Sequence, residues 1–190
     1  KEKLSSVIDK WFLYEPLYFD VYCTHKLEEN TEMKCEFRTG KRRIEYNPEL
    51  LKKTSKEEIE QKLKIEVTRI LLKQRMPQNP NRSALTTASD VTIREHCLPE
   101  SKLHDAHHYD FDGGLSYEEY YKKLYYICPD FDSMEEDGKK HLLPSLGKGQ
   151  NWEYEVAADA SELWDEDEEM CDSVNQQILK AQKTNQWGSV

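Results

Sequence analysis

Glu66 is the residue of this 190-residue chain best placed to do chemistry, because it lies in Lys64-Ile65-Glu66-Val67-Thr68-Arg69-Ile70-Leu71-Leu72. Ile59, Leu63, Val67, Ile70 and Leu71 recur at i, i+4, i+8, i+11 and i+12, the apolar stripe of a helix. Ser55-Lys56-Glu57-Glu58 opens that helix as a capping box, and Met76-Pro77 ends the pattern. At about 100° per residue, Glu66 projects about 20° from Ile59 and about 40° from Ile70, along the edge of the buried face. A carboxylate there needs a partner. Arg69, one turn on, can hold it bidentately as a structural pair. The functional alternative makes Glu66 a general base.

A second group of chemically capable residues is His104-Asp105-Ala106-His107-His108-Tyr109-Asp110-Phe111-Asp112, with three of the six histidines in five residues. His104 and His108 have the i, i+4 spacing that chelates a metal from one helical face, and Asp110 or Asp112 could add an oxygen ligand. No apolar periodicity surrounds the cluster and Gly113-Gly114 follows at once, so the competing reading is an exposed loop. Gly147-Lys148-Gly149-Gln150 lacks the spacing of a phosphate-binding loop. Ser, Thr and Cys nucleophiles are plentiful, but no local signature pairs one with a base.

In a His-Glu-x-x-His helix, two imidazoles at i and i+4 bind zinc and the glutamate takes a proton from metal-bound water. Here Ile65 and Arg69 hold the two ligand positions. Upstream, Phe37-Arg38-Thr39-Gly40-Lys41-Arg42-Arg43-Ile44-Glu45-Tyr46-Asn47-Pro48-Glu49-Leu50 reads as a hairpin followed by an Asn-Pro turn. This ordered run resembles the metallopeptidase-like domain of bacterial proteins that carry a von Willebrand A-like domain further along the same chain. In that family a hairpin with a Gly-Arg-type turn and Tyr-Asn-Pro-Glu precede the His-Glu-x-x-His helix. The resemblance continues through Ala88-Ser89-Asp90-Val91-Thr92-Ile93, Gly114-Leu115-Ser116-Tyr117-Glu118-Glu119-Tyr120-Tyr121 and Asp159-Ala160-Ser161-Glu162-Leu163-Trp164, and so spans most of the chain.

The resemblance implies a zincin-like fold with Glu66 at the family's glutamate position. Ile65 and Arg69 depart from its two histidines, Gln74 stands where a further histidine is expected, and Ser161 where a histidine precedes the tryptophan by three residues. Every departure falls on a residue that would bind metal. The family also implies partners: an attached von Willebrand A-like domain and a MoxR-type AAA ATPase.

The elements that must position these residues follow from pattern. Leu4, Val7, Ile8, Trp11 and Phe12 have helical spacing, and Leu17 to Cys23 is helical or buried extended chain. Cys35, Phe37, Ile44 and Tyr46 alternate with polar neighbours about Thr39-Gly40-Lys41, a hairpin. A helix is expected from about Ser83 to Glu95, and another after the capping box Ser116-Tyr117-Glu118-Glu119. Asp130 to Gln150 reads as an irregular connection. A last helix, from about Ser161 to Thr184, is expected to carry Leu163, Met170, Val174, Ile178 and Ala181 on one side. These elements make an α+β domain, mainly helical and zincin-like, with a small β-hairpin or sheet.

Length fits one domain over residues 1–190, and the start at Lys1 reads as a piece cut from a longer chain. The net charge of −10 argues against nucleic acid and anionic membranes, whose binding needs cationic patches. Cys23, Cys35, Cys97, Cys128 and Cys171 form no C-x-x-C pair and are odd in number, as expected of free thiols in a reducing compartment. With no apolar run of membrane-spanning length and no signal peptide, the chain reads as cytoplasmic.

The expectation is therefore a degenerate, non-catalytic metallopeptidase-like domain, a pseudoenzyme, acting as a protein-interaction or regulatory module with no cofactor. One alternative is a metal-dependent peptidase with relocated ligands, in which zinc is held by His104, His107 and His108 beside Glu66. A second alternative is a purely structural spacer.

Overall fold

In the computed structural model, which describes residues 2–74, 76–78, 80–130, 151–164 and 168–183, the chain is mixed α/β and mostly helical, with one small sheet. Gly147-Lys148-Gly149-Gln150 and nearly all of the expected irregular connection lie outside the described residues. No described helix is long and apolar enough to cross a membrane. The chain divides into two compact units, Lys1–Lys73 with Trp164–Val190, and Gln74–Leu163.

The first unit opens with α1 (Glu2–Tyr14), which buries Leu4, Val7 and Trp11. Phe12, also in the helical stripe, is exposed at its edge and meets Phe19 edge-on at 5.1 Å. Pro16 starts α2 (Pro16–Cys23), where proline costs no hydrogen bond because the first amides of a helix lack intrahelical acceptors. Three strands follow, β1 (Lys26–Glu29), β2 (Phe37–Gly40) and β3 (Arg43–Tyr46), in the order β1-β3-β2. β2 and β3 form the expected antiparallel hairpin, with Thr39 opposite Ile44 and Phe37 opposite Tyr46. β1 pairs parallel with β3, a partner that its exposed Lys-Leu-Glu-Glu sequence does not advertise.

The hairpin turns through Lys41 and Arg42, both left-handed at φ 49° and 61°. Two-residue hairpins favour that conformation because it matches the strand twist. Asn47 then caps α3 (Pro48–Lys53) by accepting from the amides of Glu49 and Leu50, so the expected Asn-Pro turn is the start of a short helix. Ser55 and Glu58 form the expected capping box of α4 (Lys56–Leu72), which ends one residue later with Lys73 in a left-handed C-cap.

The core of this unit joins Leu4, Val7, Trp11 and Val21 to Phe37, Ile44 and Tyr46 of the sheet and to Ile59, Leu63, Val67 and Ile70 of α4. In its last three turns α4 buries Leu63, Ile65, Glu66, Val67, Thr68, Arg69 and Ile70, so it is covered on all sides there.

The second unit is built on α5 (Arg82–His96), capped by Asn81. Ser83, Ala84, Leu85, Thr86, Thr87, Ala88, Ser89, Val91, Thr92 and Ile93 are all buried. Small side chains let neighbours approach closely, here α6 (Tyr117–Leu124), which has its own Ser116–Glu119 capping box, and α7 (Asn151–Ala160).

The expected last helix starts later than Ser161, and a helix that the sequence pattern did not indicate precedes it. α7 ends at Ala160, a turn covers Ser161 to Leu163, and α8 (Glu168–Lys183) begins beyond it. Fully buried Ser161 places Oγ 3.1 Å from the carbonyl of Ala158 and 3.0 Å from that of Arg82, with its single proton shared between the two, tying the end of α7 to the start of α5. Leu163 falls in the second unit, whereas Val174 of α8 enters the core of the first. A shared helical period had merged residues that belong to different cores.

Candidate functional site

The site around Glu66 is made by one helix and one hairpin strand of the first unit. Thr39 of β2 lies on the core-facing side of the sheet, in register with Ile44, and its hydroxyl donates to Glu66 Oε2 at 3.0 Å. Arg69 donates from Nη1 to Glu66 Oε1 across one helical turn. Glu66 is 4% exposed, Arg69 8% and Thr39 3%, so the ion pair is removed from water. The other face of the guanidinium is not bare: Arg69 Cζ lies 5.8 Å from the ring centre of Trp164.

Ile65 and Arg69, at the two histidine positions of the zinc-peptidase pattern, are both buried. The first offers only hydrocarbon, and the second is a permanent cation that carries no free lone pair for a metal. Glu66 is thus the sole metal-capable donor of that helical constellation and already accepts from Arg69 and Thr39. The residues present do not fit a zinc ion.

Gln74 and Ser161 both belong to the second unit. The Gln74 side-chain amide is buried at both its nitrogen and its oxygen, without a hydrogen-bond partner among the described residues. Ser161 has the structural bonds given above.

His104, His107 and His108 also belong to the second unit. They lie on and beside a 3-10 helix, Ala106–Tyr109, whose N-cap Asp105 accepts from the His108 amide. The rings of His104 and His108 are stacked at 3.7 Å and 9° from parallel, and His107 is exposed. Imidazole lone pairs lie in the ring plane, so those of parallel stacked rings run side by side instead of meeting at one ion. Among the described residues, no group of three or more His, Cys, Asp and Glu side chains could hold a metal ion.

A second buried ion pair occupies the opposite face of the hairpin. Arg38 and Glu45 face each other in register, and Arg38 donates from Nε (2.8 Å) and Nη2 (2.7 Å) to Glu45 Oε2. Asn30 donates to the same oxygen at 3.0 Å. The sequence centres the turn on Thr39-Gly40-Lys41; the two-residue turn lies instead at Lys41-Arg42, which pairs Gly40 with Arg43 and sets Arg38 opposite Glu45. The role of Thr39 was less accessible, because nothing in the sequence gives the distance from β2 to α4.

Burial, and a 2.6 Å hydrogen bond donated by its hydroxyl to Glu29, push the Tyr46 phenol up to about 12. In the second unit, burial pushes the Cys128 thiol up to about 12, against a smaller opposing effect of its hydrogen bond with Thr87. A thiol held neutral in this way is a poor nucleophile. Burial would also raise Glu95, but hydrogen bonds from the Tyr120 hydroxyl and the Gly114 and Ala106 amides outweigh it and leave the carboxyl below its usual range.

Comparison with protein-family models, curated proteins and solved structures gives no significant match.

Proposed function

We propose that the chain is a zincin-like, metallopeptidase-type domain whose catalytic centre is degenerate, and that it works as a protein-interaction or regulatory module. The observation that carries this reading is the engagement of Glu66 by Arg69 and Thr39 inside a closed helix–strand contact. Amide hydrolysis of the zinc-peptidase kind needs a water whose pKa is lowered towards about 7 and a carboxylate free to take its proton. Here the second requirement is blocked by a guanidinium, and the ligand positions hold Ile65 and Arg69. An attached von Willebrand A-like domain and a MoxR-type AAA ATPase are the proposed partners, on the strength of the sequence resemblance, and the proposed location is the cytoplasm.

The test is metal content by mass spectrometry on untagged protein dialysed against excess zinc and then against buffer. The expected outcome is no stoichiometric zinc. Retained zinc that is lost on Glu66→Ala or His104→Ala overturns the proposal in favour of a peptidase with relocated ligands. The interaction role is tested by co-purifying the full-length protein with a MoxR-type ATPase from the same genome. Failure to form a complex, together with no retained zinc, leaves the structural spacer.

A further inference from the structure

We draw no further inference here: the strongest candidate, the acidic loop in which Asp110 and Asp112 lead through Gly113-Gly114 into the capping box of α6, carries nothing because it is an acidic cluster at a helix N-terminus whose Glu119 already accepts from the Ser116 amide and where no metal-holding group of three or more side chains converges among the described residues.

Discussion

Glu66 and Arg69 were both visible in the sequence as an i, i+3 pair, yet their burial was not. The apolar stripe placed Glu66 at the margin of a helix with one solvated side, whereas α4 is covered all round at that level. The energetics change accordingly: a margin pair contributes little, while removing one member of a buried pair leaves an uncompensated charge and costs about 3–5 kcal/mol. Glu66→Gln should therefore destabilise the protein by about that amount in chemical denaturation. Glu66→Leu combined with Arg69→Met should recover most of the loss, because both charges leave together. A Glu66→Gln midpoint equal to the parent's would sink the structural assignment of the pair. Thr39→Val removes one hydrogen bond to a charged acceptor and should cost about 1.5–3 kcal/mol, measured in the same way.

Cys128 gives a pH-dependent prediction at the same scale. Its folded-state value of about 12 stands above the ordinary thiol value of 9.0, so the neutral form is favoured by folding. That stabilisation is fully present below pH 9.0 and is lost as the pH rises towards about 12. Parent protein should lose on the order of a few kcal/mol over this window. Cys128→Ala should flatten part of that decline while lowering stability slightly at neutral pH; parallel alkaline titrations of both proteins would fail the idea if their slopes agreed.

Among the elements, those whose signals are local matched the reading of the sequence. α4 and α6 begin at capping boxes that the sequence spells out, and the β2–β3 hairpin follows from alternation around a short turn. β1 was hidden because a parallel edge strand has no turn joining it to its partner and here carries no buried stripe. α7 went unplaced, and the start of α8 was set too early because the apolar period of Val174 and Ile178 extends back in register to Leu163, whereas Ser161 to Leu163 form a turn in which the Ser161 and Glu162 amides donate to the carbonyls of Ala158 and Asp159.

The hairpin supplies an element-scale prediction. Lys41 adopts a left-handed conformation at φ 49° and is exposed. Asparagine reaches that region at lower steric cost. Lys41→Asn should raise stability by about 0.5 kcal/mol, read as a denaturation midpoint shifted upwards at unchanged slope. A lower midpoint would show that the turn depends on the lysine itself.

At the scale of the molecule, the two units differ in how they are drawn from the chain. The second is one continuous segment, while the first closes only when α8 supplies Val174 to its core. Val174→Asp would place an unpaired carboxylate in that core. Hydrogen exchange should then quicken in α2 and α4 while the amides of α5 keep their protection; equal quickening in α5 would mean that the units open together.

That arrangement has a bearing on synthesis. A ribosome emits the sheet, the charged pair and the helix bearing Glu66 before it emits the closing helix, with the whole Gln74–Leu163 unit in between. At about 5–20 residues per second, that interval lasts on the order of several seconds. During it the face of the first unit that will receive Val174 has no cover from α8. Of the two units, the one whose first residues emerge earlier is thus the one completed later, and its nascent form is the one that stands to gain from a chaperone's shelter.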